Sequence, residues 1–214
     1  MSDVSILHPP AGIAAPPAHG ADHGGHATST GLDSRKLLMW AFLASDCIFF
    51  GCLIATFLSY RGKSLAGPFP HEVYDIPYTS VSSFVLLMSS LTMVLTLAAI
   101  RRGDVYRFRV WLVATALLGL IFLGGQAYEF TSFYREGLWL QTNLFGSSFF
   151  TLTGFHGTHV FIGVVWLLSL FWGSLTGRVS QGNSLMVEIA GLYWHFVDVV
   201  WIVIFTVVYL LETT

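Results

Sequence analysis

Five stretches of this chain run 24 to 27 residues each without a lysine or arginine: 37–60, 77–100, 110–133, 146–172 and 187–211. An α-helix rises about 1.5 Å per residue, so about 20 apolar residues cross the roughly 30 Å hydrocarbon core of a bilayer. Lipid offers the backbone no hydrogen bonds, and a helix satisfies its own N–H and C=O groups. The runs therefore predict an all-α integral membrane bundle of five transmembrane helices, with no internal repeat at a constant period. Composition excludes an ordinary soluble domain. Of 214 residues 54% are hydrophobic and only 10% are charged, against about 25% charged in a typical soluble protein. Pro77 stands in the first turn of the second run, where its missing N–H does no harm.

Residues 1–34 are a different material. The stretch "HPPAGIAAPPAHGADHGGHATSTG" is rich in Pro, Gly, Ala and His with no periodic apolar face, so it reads as a disordered cytoplasmic tail ahead of a membrane domain at 35–214. It lacks the basic start and long apolar core of a signal peptide. Its His8, His19, His23 and His26 sit among Gly and Pro and offer no fixed geometry to a metal. Cys47 and Cys52 lie inside the first apolar run and read as small packing residues rather than a disulfide or metal pair. A net charge of −2 argues against a nucleic-acid partner.

The ten basic residues set the expected orientation. Arg35, Lys36, Arg101, Arg102, Arg107, Arg109 and Arg178 fall on the side of the N-tail, and Arg61, Lys63 and Arg135 on the other. That seven-to-three bias predicts a cytoplasmic N-terminus and an external C-terminus.

Acidic and imidazole side chains inside the runs are few: Asp46, Glu129, His156, His159, His195 and Asp198, with Glu188 at the start of the last. Such groups are costly in a membrane and normally face protein or water. Their spacing gives each helix one polar or small face. Glu188, Gly191, His195 and Asp198 line up on the last run, Gly119, Gln126 and Glu129 on the third, and Ser82, Ser89, Thr92 and Thr96 on the second. Three readings remain open for these stripes: buried hydrogen bonds that fix helix register, metal or haem ligation by imidazole, and a proton or lipid pathway. Ligation has little to work with, because only His156, His159 and His195 are available as a set. Depth singles out one pair. Asp46 lies nine residues into the first run and His159 thirteen into the oppositely directed fourth, so both fall near mid-membrane and would meet if the helices are neighbours. Glu129 is expected near the outer surface, within reach of water.

"YWHFVDVVW" (193–201), "TGFHGTHV" (153–160) and "GQAYEF" (125–130) together resemble subunit III of the haem-copper terminal oxidases. The first run, "WAFLASDCIFFGCLIATF", resembles the helix on which that family carries a buried acid. The resemblance covers residues 35–214 and matches the short, five-helix bacterial form, in a bacterial plasma (inner) membrane. It implies a chain without haem, copper or other metal, these being held by partner subunits. It also implies direct packing on subunit I, contact with subunit II and cytochrome c through the complex, phospholipid bound in a cleft between helix groups, and support of proton uptake and turnover lifetime. By the same resemblance Asp46 takes the place of the family's buried carboxylate, usually Glu, with His159 or His156 as its partner. Glu188, His195, Asp198, Gln126 and Glu129 read as interior polar anchors, and Tyr193, Trp194 and Trp201 as lipid or packing contacts. The expected function is that of an accessory, non-redox subunit III of a cytochrome c oxidase, which reduces O2 to water and translocates protons. The alternatives are subunit III of a quinol oxidase, the subunit III-like protein of a nitric oxide reductase system and, in a different class, a stand-alone membrane haem or metal enzyme.

Overall fold

The computed structural model describes residues 33–60, 63, 76–179 and 181–211. The expectations for the N-terminal tail and its four histidines, and for Arg61, lie outside the described residues. Five long helices account for nearly all of the rest: α1 (Ser34–Tyr60), α2 (Ile76–Arg101), α3 (Val105–Arg135), α4 (Leu144–Leu175) and α5 (Ser184–Phe205). The last continues as a wider π turn over Thr206–Leu210. Each is long and apolar enough to cross a membrane, and among the described residues there is no β-strand.

The helices run past the apolar spans. α3 continues through Arg107 and Arg109 at one end and reaches Arg135 at the other. The absence of basic residues marks where hydrocarbon ends, not where a helix stops, because a long arginine carries its charge out to the interface. Arg109 also finds a partner across the bundle: its Nε and Nη2 donate to the hydroxyl (2.8 Å) and carbonyl (2.6 Å) of Ser174 on α4. The α2–α3 connection is short. Gly103 takes a φ of 76° that favours glycine, and Asp104 caps α3 by accepting from the Arg107 N–H at 3.0 Å.

Helices α2 to α5 form a ring in chain order, with α5 packed back on α2. Its centre is Trp194 of α5, 1% exposed. A Cβ on Gly119 of α3 would lie 2.6 Å from the indole, and one on Gly163 of α4 would lie 2.8 Å away. The two glycines therefore leave the slot that the ring occupies, and the indole N–H donates to Ser89 of α2 at 2.9 Å. Small residues permit this close approach, which is how membrane helices gain packing energy without a hydrophobic effect between them.

α1 lies against the α4 and α5 side of the ring. Phe42 meets Tyr193 (centroids 6.4 Å apart), Phe49 meets Phe155 (5.2 Å) and Phe57 meets Phe145 (6.1 Å). Its buried residues are Leu43, Asp46, Phe50 and Phe57, a single stripe at helical spacing.

The Trp194 slot makes a sharp prediction. Gly119→Ala should destabilise the bundle by about 1–3 kcal/mol, the usual cost of overpacking, read as a lower midpoint of SDS-induced unfolding in detergent micelles. An unchanged midpoint would mean that the indole has room to spare.

Candidate functional site

Polar side chains tie the helices together at three depths. At the basic end, Glu188 at the start of α5 receives Lys36 of α1 on one oxygen and Arg101 of α2 on the other, the latter at 2.8 Å. Neither cation was matched to Glu188 in the sequence, since nothing local links positions so far apart.

At the opposite end Glu129 of α3 is 7% exposed, not open to water as its position in the span suggested. Its Oε1 accepts from Thr79 of α2 at 2.9 Å and from Tyr209 at 3.0 Å. α3 runs on to Arg135 and places the carboxyl inside the ring, and Tyr209 reaches it from the π turn that follows α5. Three elements thus converge on one carboxylate oxygen.

Between these ends the polar stripes of α5 and α2 face each other. Trp201 donates its indole N–H to Ser83 at 2.9 Å, closer to the Glu129 end than the Trp194–Ser89 bond. His195 Nδ1 lies 2.6 Å from the Ser90 hydroxyl. Asp198 is 3% exposed and neither of its carboxyl oxygens has a hydrogen-bond partner; the polar side chain beside it is the same Ser90. Ser90 thus stands beside both His195 and Asp198, hydrogen-bonded to His195 alone. α2 and α3 are joined by Thr92 and Thr115 hydroxyls 2.8 Å apart. α3 and α4 are joined by Gln126, whose amide N–H donates to the Thr153 carbonyl at 3.3 Å.

α1 contributes one polar side chain to the interior, Asp46, and it faces α4. Its Oδ2 is 3.6 Å from His159 Nε2, an ion-pair separation too long for a hydrogen bond. His159 Nδ1 lies 2.8 Å from the Phe155 carbonyl. A carbonyl only accepts, so Nδ1 carries the proton and Nε2 is the nitrogen turned to the carboxyl. Tyr193 of α5 donates to the His159 carbonyl at 2.9 Å, fixing that turn of α4. The arrangement sets an imidazole nitrogen against a carboxyl oxygen in the interior of the bundle, with no hydrogen bond between them.

Of the two histidines expected opposite Asp46, His159 takes the position. His156 is fully buried and stacks on Trp201, with centroids 4.9 Å apart and planes 27° from parallel. Phe122 and Phe50 meet it edge-on at 6.0 and 6.4 Å, and neither ring nitrogen has a hydrogen-bond partner. His156, His159 and His195 thus face an aromatic box, a carboxyl and a serine respectively. Among the described residues no group of three or more His, Cys, Asp or Glu side chains converges as a metal site would require. Tyr193, Trp194 and Trp201 are 4%, 1% and 1% exposed, and their neighbours are other helices of the chain.

Five apolar helices stitched by polar contacts directed inward define a multi-pass membrane protein. The sequence model of cytochrome c oxidase subunit III matches residues 18–213. Similar proteins include cytochrome c oxidase subunit 3 of Bacillus sp. (strain PS3), 39% identical over 178 residues, covering 83% of this chain and 86% of that protein. Quinol oxidase subunit 3 of Bacillus subtilis (strain 168) is 38% identical over 172 residues, covering 80% and 84%. Cytochrome c oxidase subunit 3 of Thermostichus vulcanus is 38% identical over 180 residues, covering 84% and 88%. The chain belongs to the cytochrome c oxidase subunit III family, the third subunits of the haem-copper oxidases.

If Asp46 and His159 interact as their separation implies, Asp46→Asn and His159→Gln should be non-additive in a double-mutant cycle on unfolding in micelles. The expected coupling is about 0.6 kcal/mol and at most about 1.7 kcal/mol, the range of polar pairs inside membranes. Strict additivity would show two independent side chains.

Proposed function

We propose that this chain is the non-redox, accessory subunit III of an aerobic cytochrome c oxidase in a bacterial plasma membrane, with its N-terminus in the cytoplasm. The complex reduces O2 to water and translocates protons, while haem and copper reside in partner subunits and electrons bypass this chain. It packs directly on subunit I, stands near subunit II and cytochrome c only through the complex, and binds phospholipid between its helices. The basic residues gathered at the Glu188 end support the orientation.

The observation that carries the functional reading is the Asp46–His159 pair. An isolated carboxyl inside a membrane helix is expensive to keep, and a packing role would be served by an apolar residue. A carboxyl facing an imidazole nitrogen at 3.6 Å instead supports a role in handling protons. On this reading the pair keeps proton uptake by subunit I supplied during turnover. His156, one turn away on α4 and enclosed by aromatic rings, holds that stretch of helix in place.

Relatives named for cytochrome c oxidases and for quinol oxidases stand at nearly equal identity. A quinol oxidase is therefore the second reading, and oxidation of reduced cytochrome c by the purified complex decides between them. Within the complex, Asp46→Asn should leave haem content unchanged and slow proton uptake or shorten turnover lifetime, whereas Asp46→Glu, which keeps the carboxyl, should behave close to wild type. Haem loss in Asp46→Asn would make the residue structural for the partner, and wild-type kinetics would reduce it to packing.

A further inference from the structure

Asp46 and His159 share no hydrogen bond, because 3.6 Å separates Oδ2 from Nε2. A pair of that kind does not fix its own geometry. Its spacing depends on what holds α1 against α4 at that level, and α1 stands outside the four-helix ring, fastened by side-chain contacts.

Tyr193 of α5 touches the helices of both partners there. Its ring stacks on Phe42 of α1, one turn before Asp46, with centroids 6.4 Å apart and planes 30° from parallel. Its hydroxyl donates to the backbone carbonyl of His159 at 2.9 Å, and Trp166 of α4 meets the ring at 5.7 Å. Glycine at position 163 leaves the phenol its path, since a Cβ there would lie 3.2 Å from Tyr193 Cε1.

The imidazole belongs to the same turn of α4. His159 Nδ1 donates to the Phe155 carbonyl at 2.8 Å, so the ring follows the backbone of residues 155–159, and the phenol holds that backbone from outside the helix. Phe50 of α1 meets the imidazole edge-on at 5.0 Å, an apolar wall that bonds nothing. The Asp46 carboxyl lies within electrostatic reach of the phenol. Tyr193 is 4% exposed, and a tyrosine buried so far needs a partner for its hydroxyl. Packing on Phe42 and Trp166 alone would be served by phenylalanine.

We propose that Tyr193 is a positioning residue for the Asp46–His159 pair. Its ring sets the approach of α1, and its hydroxyl holds the turn of α4 that presents the imidazole. The site therefore spans three helices, and the placement of α5 in the ring governs the separation of carboxyl and imidazole. The inference deepens the proton-support reading above; its turnover test rests on that reading and its coupling test does not.

The test is Tyr193→Phe, which keeps the ring against Phe42 and removes only the hydroxyl. For the full chain unfolded by SDS in micelles, Asp46→Asn and His159→Gln should together depart from additivity by about threefold in the unfolding equilibrium constant. With Tyr193→Phe present, that coupling should vanish. In the purified oxidase complex, Tyr193→Phe should shorten turnover lifetime at unchanged haem content and add nothing to Asp46→Asn when the two are combined. A tyrosine that only packs would lower the unfolding midpoint and leave the coupling intact, which overturns the proposal. So does the absence of coupling in both backgrounds, which leaves no pair to position. A lifetime loss that adds to that of Asp46→Asn, or a wild-type lifetime where Asp46→Asn shortens it, overturns it as well. If Tyr193→Phe abolishes the coupling but Asp46→Asn turns over like wild type, the functional reading falls and the positioning role stands.

Discussion

The indole of Trp194 occupies a space that three other helices leave for it. Gly119 and Gly163 lack the side chains that would fill the slot, Ser89 supplies the acceptor for its N–H, and α5 brings the ring in. Between membrane helices there is no hydrophobic effect to exploit, so close packing and buried hydrogen bonds must supply the association energy. One residue here does both, at the point where α2, α3, α4 and α5 come together. The other cross-helix bonds repeat the device at other depths: Trp201 to Ser83, Tyr209 and Thr79 to Glu129, and Arg101 to Glu188. The register of the four-helix ring follows from satisfying these groups inside the molecule.

α1 obeys a looser rule. It is fastened by Lys36 at the basic end, by aromatic contacts along one stripe, and by Asp46 opposite His159. Its remaining faces are open, and grooves of about 190 and 450 Å³ separate it from α4 and α5. The helix that is least enclosed is thus the one that carries the interior carboxyl facing an imidazole. The closed ring of α2 to α5 offers no interior carboxyl so near an open face.

Much of this was legible in the sequence. Five apolar runs gave five helices, because length and hydropathy are local properties. Helix depth brought Asp46 and His159 to one level, and the polar stripe of α5 does face another helix. What escaped depended on contacts between distant segments. The run of serines in α2 places hydroxyls on more than one face, so Ser83 and Ser90 could not be told from Ser82 as partners of α5. Distance from the end of an apolar run puts Glu129 near the surface, but α3 continues and turns the carboxyl inward to Thr79 and Tyr209. His156 and His159 are three residues apart and equivalent by spacing, yet only the fold sets one against Trp201 and the other against Asp46.

The proposed accessory role places catalysis in the other subunits of the complex. The direct measurement is a time course of O2 consumption by the oxidase complex prepared with and without this chain, with haem absorbance recorded on the same samples. An accessory role predicts equal haem absorbance per catalytic subunit, O2 reduction that begins in both preparations, and activity that decays sooner when the chain is missing and recovers its lifetime when it is added back. Loss of haem or of all initial O2 reduction without the chain, or an identical lifetime in both preparations, would contradict it.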